Sequence, residues 1–197
     1  MTSPQITIGP ATVGVEPSTA QQSWEILVEA DTSFIPPLSA RTSGTQTDFA
    51  PASAGTALGP QQYFESLQDQ HIIVARAKTS DMALAGFMSF RRSYSLPYDH
   101  STTVYHYVTT VIVRPAFRGH RITQRMYRTL QKAAAQLGEG VATRTWSTNS
   151  AHIGLLSALG FTEAHRIPDD RGQGVDTVYF VKSGFHNFSV VSGDLRC

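Results

Sequence analysis

The stretch VRPAFRGHRITQRMY, residues 113–127, places arginines where a β-like run passes through a turn into a helix. The first N–H groups of a helix lack partners within the helix, and the helix dipole is positive at that end. Arg118, His120 and Arg121 lie in this turn, where added cations are unfavourable unless an anion binds. Backbone N–H groups and two guanidinium groups converging there would form a competent pyrophosphate site. A tight turn at Gly119 with the arginines in solvent is the alternative interpretation.

The helix that follows the turn has one apolar and one basic side when its residues are placed at helical spacing. The apolar arc contains Ile122, Met126, Leu130, Ala133 and Leu137. The opposite side carries Arg121, Arg125, Arg128 and Lys132. We interpret Arg128 and Lys132 as a solvated face, because long basic side chains are usually exposed.

The composition is that of one ordinary domain: 197 residues, 41% apolar, 16% charged, with a formal net charge of +1. This balance argues against nucleic acid as a partner. Cys197 is the single cysteine, so an intramolecular disulfide is excluded and we expect no metal site. The first residues lack a basic leader and an apolar core, and no apolar run is long enough to cross a bilayer. We therefore expect a cytoplasmic protein that does not contact a membrane.

The N-terminal part of the chain predicts two helices separated by a long loop. Apolar residues recur at helical spacing over residues 19–30, and Gly59-Pro60 resembles the start of a second helix. Between them, residues 31–59 are rich in Ser, Thr, Pro and Gly and sustain neither helical nor strand periodicity. A loop of this length indicates a lid, a substrate loop or disorder.

The rest of the chain predicts a sheet with two further helices. Runs rich in β-branched and aromatic residues indicate three consecutive antiparallel strands, and a helix then leads to a fourth strand, which forms a crossover unit. A short helix and a closing hairpin follow. The strands are predicted at residues 71–77, 82–94, 102–113, 140–148, 161–167 and 175–182, and the helices end near Gly138 and at Gly160.

Two signatures occur in a characteristic order: the β-run ending in VIV with its Arg-Gly turn, and NSAHIGLLSALGF over residues 149–161. Together they resemble the acetyl-CoA-binding core of the GNAT superfamily of N-acetyltransferases, over about residues 71–182. The family's pyrophosphate loop, Arg/Gln-x-x-Gly-x-Gly/Ala, falls on residues 118–123. Arg121 and Thr123 stand where the family has small residues, and they can still donate their backbone N–H groups if φ stays negative.

The resemblance implies a single domain of the α/β (α+β) class, with a mixed, mainly antiparallel sheet flanked by helices. We expect this domain to span residues 1–183, with residues 31–59 as a variable substrate loop and residues 184–197 as a C-terminal tail. Within the first seventy residues, the two helices and the loop would cover the acceptor site.

The resemblance also implies a reaction, the direct transfer of an acetyl group from acetyl-CoA to an amine. Backbone groups of the strand before the turn would bind the pantetheine arm, and the turn and the second signature would hold the rest of the cofactor. The cofactor-binding residues implied are Val111, Ile112, Val113, Arg118, Gly119, His120, Arg121, Ile122, Thr123, Asn149 and His152.

The proton-handling residues are less well marked. Many relatives carry an acidic residue where this chain has Thr109 and Thr110, and a tyrosine general acid where it has Leu156. His106 is the nearest titratable group, and its ordinary pKa of about 6.5 suits a general base. A strand histidine without a catalytic role is the alternative.

We therefore take His106, Tyr107 and Asn149 as catalytic candidates, and Phe34 and Tyr105 as residues that contact the acceptor. The predicted function is acetyl-CoA-dependent acetylation of a small-molecule amine. The alternatives are a protein or peptide amine as acceptor, or a non-catalytic module that senses acetyl-CoA. A nucleic-acid binder that uses the basic side of the long helix is a weaker alternative, and a homodimer is left open.

Overall fold

Seven strands form one sheet in the order β1-β2-β3-β4-β5-β7-β6, and every neighbouring pair is antiparallel except β4 and β5. The computed structural model describes residues 4–49, 59–78 and 82–184. The strands are β1 (Ile6–Val13), β2 (His71–Ala77), β3 (Leu84–Tyr94), β4 (Tyr105–Val113), β5 (Gly140–Trp146), β6 (Thr162–Ile167) and β7 (Thr177–Lys182).

Four helices cover the two faces of this sheet: α1 (Pro17–Ala30), α2 (Gln61–Glu65), α3 (Ile122–Gln136) and α4 (Ser150–Ala158). Helices α3 and α4 pack on one face in the larger hydrophobic cluster, and α1 and α2 pack on the other. Successive side chains of β2 point to opposite faces of the sheet: Ile72 packs in the cluster on the α1 face, and Ile73 packs in the cluster on the α3 face. Burial on both faces explains why β2 reads as a nearly continuous apolar run.

The predicted fold class, a mixed and mainly antiparallel sheet flanked by helices, is confirmed, and the predicted strands correspond to β2–β7. Strand β1 is the element that the sequence analysis missed. Its sequence, ITIGPATV, contains Gly9 and Pro10, which argue against a strand. The structure accommodates them because β1 is an edge strand whose pairing with β2 shifts register between Ile8 and Ala11, around these two residues.

The predicted substrate loop is ordered over its described part. Its chain makes two single 3-10 turns, Asp31–Ser33 and Leu38–Ala40. The Asp31 carboxylate accepts hydrogen bonds from the backbone N–H and the hydroxyl of Ser39, at 2.7 and 2.8 Å. Residues 50–58 of this loop and residues 185–197 of the predicted tail lie outside the described residues.

No helix in the described part of the chain is long and apolar enough to span a membrane.

Strands β4 and β5 pair over only part of their length. The parallel pairing runs from Tyr105 opposite Gly140 to Val108 opposite Thr143, and both strands then continue without pairing to each other. On its other edge β4 carries a bulge, because Val108 and Thr110 pair with consecutive residues of β3 and leave Thr109 as an extra residue. The sheet therefore opens between β4 and β5 just beyond Val108.

His106 joins the paired part of β4 to the residues that follow α3. Its side chain is buried, and its Nδ1 lies 2.7 Å from the Oε2 atom of Glu139. The Ser93 hydroxyl donates to the other carboxylate oxygen at 2.8 Å. Burial raises the pKa of a carboxyl group, but the hydrogen bonds from Ser93 and His106 outweigh it here, so the pKa of Glu139 is lowered.

We expect Glu139→Ala to lower the free energy of unfolding by about 2 kcal/mol near neutral pH, because the buried His106 side chain loses its charged partner. Since the folded-state pKa lies below that of the unfolded chain, this stabilisation is complete above about pH 5 and is lost as the pH falls through the folded-state value. Urea unfolding across this range measures the loss. Glu163→Ala, which breaks an exposed pair with Arg166, is the control and should cost much less. Equal losses, or a pH-independent loss at Glu139, would contradict the assignment.

Candidate functional site

The turn before α3 contains two residues in the left-handed conformation. Gly119 has φ 82°, and Arg121, the N-cap residue of α3, has φ 54° and ψ 27°. The condition of a negative φ is therefore not met at Arg121. A non-glycine residue in this conformation costs about 1 kcal/mol, and the turn retains it because the chain must change direction there to enter the helix.

The N-terminus of α3 presents its N–H groups without a compensating negative charge. No side chain among the described residues caps the helix, and its first turn contains no acidic residue. Arg118 and Arg121 are exposed beside it, and Arg118 makes one weak contact, its Nε lying 3.4 Å from the carbonyl of Val113. The helix dipole and two guanidinium groups thus act on the same place, which favours a bound anion.

Two adjoining cavities extend from this turn to the gap in the sheet. The turn cavity has a volume of about 420 Å³, and the cavity between β4 and β5, here called the gap cavity, has about 260 Å³. Thr123 at the start of α3 and Leu155 on α4 belong to the walls of both. The two cavities therefore form one groove that runs from the N-terminus of α3 to the bulge in β4.

The gap cavity is walled by the separated ends of the two strands and by the start of α4. Residues 108–111 of β4 form one side and residues 143–146 of β5 the other. The Thr143 hydroxyl donates to the Val108 carbonyl at 3.2 Å, at the last position where the strands pair. Beyond it, the edge of β4 that faces β5 has no strand partner, so its backbone groups are available to a ligand.

Asn149 and His152, two of the predicted cofactor residues, line the gap cavity at its α4 end. The Asn149 Oδ1 atom caps α4 by accepting the His152 N–H at 3.3 Å, and its Nδ2 donates to the Thr145 hydroxyl at 3.1 Å. The His152 Nε2 atom lies 3.0 Å from the Tyr127 hydroxyl. Burial lowers the pKa of His152 to about 4, so its imidazole is neutral at physiological pH.

Of the remaining predicted cofactor residues, most line one of the two cavities. Val111 lines the gap cavity, and five others line the turn cavity, namely Val113, Arg118, Gly119, Arg121 and Ile122. Thr123 belongs to both. His120 contributes to neither wall, and Ile112 packs in the hydrophobic cluster on the α1 face.

The structure does not bring His106, Tyr107 or Tyr105 to the gap cavity. All three belong to the part of β4 that is still paired with β5, below the point where the strands separate. His106 is engaged by Glu139, and Tyr107 is buried with its ring stacked on Tyr94 at 4.6 Å. Burial raises the pKa of Tyr107 further above its ordinary value. These placements correct the prediction that these residues act on the substrates.

Hydroxyl groups occupy the bulge, where many relatives carry an acidic residue. The Thr110 Oγ1 atom lies 2.7 Å from the Tyr63 hydroxyl, and the Thr109 Oγ1 atom lies 2.7 Å from that of Ser89. Thr109 also donates to the amide oxygen of Gln70. Sequence reasoning missed Tyr63, Ser89 and Gln70. A pair of threonines inside an apolar strand was the available signal, because their hydroxyl groups need hydrogen-bond partners.

Aromatic and basic side chains close the gap cavity on the side of the predicted substrate loop. Phe34, which the sequence analysis took as an acceptor contact, is part of the wall, and its ring lies 5.6 Å from that of Trp146. Arg144 lies beside them on β5. Neither Trp146 nor Arg144 was singled out from the sequence. No group of three or more His, Cys, Asp or Glu side chains in the described ranges could hold a metal ion.

Solved structures of low sequence identity share this fold. A protein of Acinetobacter baylyi assigned as an acetyltransferase is 21% identical, with a TM-score of 0.58 over 91% of this chain and 94% of that one. The yncA protein of Salmonella typhimurium, determined with its cofactor acetyl-CoA, is 18% identical, with a TM-score of 0.61 over 93% of this chain and 96% of that one. Arabidopsis thaliana NAA60, in complex with acetyl-CoA, is 16% identical, with a TM-score of 0.59 over 91% and 98%.

No protein of curated function matches the chain in sequence. The sequence profile of the acetyltransferase (GNAT) family, in contrast, matches residues 43–161. This range includes the turn before α3, the bulge in β4 and the start of α4, which together wall the groove. The match covers more than half of the chain, and the protein therefore belongs to the acetyltransferase (GNAT) family.

Proposed function

We propose that this protein transfers the acetyl group of acetyl-CoA to the amine of a small molecule. The observation that carries the proposal is the continuous groove, which joins an anion site at the N-terminus of α3 to an unpaired strand edge at the bulge in β4. Acetyl-CoA has matching parts in the same order: a diphosphate, an amide-containing arm and a thioester. Bound there, it supplies an activated carbonyl group.

The turn residues would hold the diphosphate. The first N–H groups of α3 and the Arg118 guanidinium act on the same place, and the absence of acidic residues from the first turn leaves their charge available. The unpaired edge of β4 at Val111 and Val113 would hydrogen-bond the amide groups of the arm as an additional strand would.

The reacting carbonyl would lie at the bulge between Thr109 and Asn149. Backbone N–H groups on the unpaired edge of β4 are fixed before the reaction, so they can stabilise negative charge on the carbonyl oxygen without reorganising. Asn149 is held in place by its bonds to Thr145 and to the start of α4, which makes it a rigid part of this wall. Its role here is to position the substrates.

Proton transfer in this site would depend on the acceptor itself. His152 and Arg144 are the ionisable side chains of the described gap-cavity lining, and at neutral pH neither is a competent base. The pKa of His152 is too low to hold a proton, and Arg144 is a cation whose pKa is raised. The amine must therefore lose its proton to water before it attacks, and the hydroxyl groups of Thr109 and Thr110 can only pass a proton along.

The dimensions of the acceptor end support a small molecule rather than a protein chain. The gap cavity has a volume of about 260 Å³, and Phe34, Trp146 and Arg144 close it on one side. A peptide acceptor would need an open channel through this wall. We propose that residues 1–183 form the catalytic domain and that the loop over residues 31–59 covers the acceptor.

The acceptor class is tested with acetyl-CoA and a panel of primary amines. We expect free thiol and N-acetylated product with small amines, at kcat/KM values at least about tenfold above those for peptides with a free N-terminus or a lysine. Thiol release followed with a chromogenic disulfide, and product mass, measure the two halves of the reaction. Peptides acetylated as fast as the best small amine would overturn the small-molecule assignment.

The diphosphate assignment is tested with Arg118→Ala. We expect the Kd for coenzyme A, measured by calorimetry, to rise about tenfold, because one charge-assisted contact is worth about 1.4 kcal/mol. The melting temperature should not change, since the Arg118 side chain is exposed. Arg128→Ala, which removes an exposed arginine from the outer side of α3, is the control and should bind as the unaltered protein does. An unchanged Kd for Arg118→Ala would sink the assignment.

The proposed proton route predicts the pH profile. We expect log kcat/KM for an alkylamine to rise with a slope near one between about pH 6 and about pH 9, because only the acceptor titrates in that range. His152 has a pKa of about 4 and is fully deprotonated across it, so His152→Phe should keep the slope even where it lowers the rate. Initial rates at saturating acetyl-CoA measure the profile. A plateau above about pH 7 that His152→Phe abolishes would identify His152 as a base instead.

A further inference from the structure

We infer that the acceptor carries an anionic oxyacid group, such as a carboxylate, beside its amine, and that Arg144 binds this group while Arg41 and Arg171 add their positive charge behind it. The inference rests on the proposed function and narrows its substrate class. Its basis is a cluster of three arginines at the closed end of the gap cavity, here called the arginine cluster. Arg144 lines the cavity, and the other two lie behind its aromatic wall.

The arginine cluster is built around one aromatic ring. The guanidinium carbons of Arg41 and Arg144 each lie 5.3 Å from the centre of the Phe49 ring, and that of Arg171 lies 4.9 Å from it. Arg41 also lies over the ring of Phe34 at 5.5 Å. Three separate parts of the chain, the loop after α1, strand β5 and the β6–β7 connection, thus bring their positive charges to the same place.

This positive charge is not balanced by carboxylates. Among the described residues, none forms an ion pair with a member of the arginine cluster, and residues 50–58, next to Phe49 in the chain, contain no acid. Asp31 and Asp170, the acids whose charge acts on Arg41 and Arg171, accept hydrogen bonds from the hydroxyl groups of Ser39 and Thr177.

The charges are costly where they lie. Arg41 and Arg171 are 6% and 8% exposed. Burial, together with repulsion from the neighbouring arginines, lowers the pKa of Arg41 to about 10 and that of Arg171 to about 9. Both remain protonated at neutral pH, so an incoming anion would relieve an existing repulsion.

The cluster has a structural role, and that role does not account for its charge. Arg41 donates to the carbonyls of Ile35 and Pro36 at 2.8 and 2.9 Å, and Arg171 donates to the same Ile35 carbonyl at 2.6 Å. Arg144 donates to the Gly44 carbonyl at 3.1 Å. These bonds tie the loop to the sheet. Neutral carbonyls satisfy hydrogen-bond donors but leave the buried charges of Arg41 and Arg171 without a carboxylate partner among the described residues.

The position of the cluster fits a ligand with two ends. The amine must approach the bulge at Thr109, while an anionic group on the same molecule would face Arg144 across the cavity. The rings of Phe34 and Trp146 flank the path between them and suit an apolar side chain. An α-amino acid with an apolar side chain has this arrangement of groups.

The test compares matched acceptors on the unaltered protein. Leucine, methionine and phenylalanine are each assayed beside their carboxamide and their decarboxylated amine, and kcat/KM is expressed per free-base amine to remove differences in basicity. We expect each acid to exceed both analogues by at least about tenfold, because the analogues leave the Arg144 guanidinium group without an anionic partner. Analogues acetylated as well as the acids would overturn this inference and leave the proposed function intact. Acetylation of other small amines but none of these would also overturn this inference alone, whereas acetylation of no small amine in the wider panel would overturn both.

A variant pair locates the preference. Arg144→Met should bring each acid to within about threefold of its decarboxylated amine, whereas Arg128→Met should keep the full preference. The melting temperature and the Kd for coenzyme A show whether the Arg144 variant is folded. If it is not folded, the comparison of acids with their analogues on the unaltered protein decides the inference. A folded Arg144→Met protein that retains the preference would contradict the assignment to the arginine cluster.

Discussion

The structure depends on a single constraint, which is that β4 does not pair with both neighbours along its whole length. A parallel pair keeps its hydrogen bonds only while the two strands stay at ladder distance, and β4 and β5 lose that distance after Val108 and Thr143. The bulge at Thr109 lies at the same level on the other edge, where it changes the direction of β4. Sheets are normally closed to ligands because their backbone groups are used internally. This one keeps an unpaired internal edge, and the helices on both faces make that edge the floor of a groove rather than an exposed margin.

The polar groups around the opening are satisfied in two different ways. At the bulge, neutral hydroxyl and amide groups bond to one another, so Thr109, Thr110 and Gln70 form a wall without net charge. At the closed end, guanidinium groups bond to carbonyls of the loop, and the wall there is strongly positive. The electrostatic potential in the cavity therefore becomes more positive from the bulge toward the arginine cluster. A neutral amine can reach the reacting end, while negative charge is attracted to the opposite end.

The sequence predicted the sheet and the elements around the proposed coenzyme groove well because both depend on local patterns. Apolar runs, a Gly-containing turn and the Asn149 cap are encoded within a few residues, and the described structure agrees with them. Strand β1 was missed because Gly9 and Pro10 are tolerated only at an edge, which is a property of tertiary structure. His106 was misplaced for a similar reason. Its chemistry suits a base, but whether a β4 residue faces the gap depends on where β5 diverges, and no local pattern marks that point. The arginine cluster was invisible because its members lie far apart in the chain.

The separation of those members has a consequence for how the protein is assembled. The hydrogen bond from Arg171 to Ile35 joins residues 136 positions apart, whereas the turn before α3 is made from neighbouring residues. Closing a long loop is entropically costly, so contacts of this kind cost more conformational entropy to form than those of the turn. The proposed coenzyme site is thus encoded locally within the central crossover, while the proposed acceptor site exists only when both ends of the domain are together. Sequence drift in either the loop or the β6–β7 connection can alter the choice of acceptor without disturbing the coenzyme site.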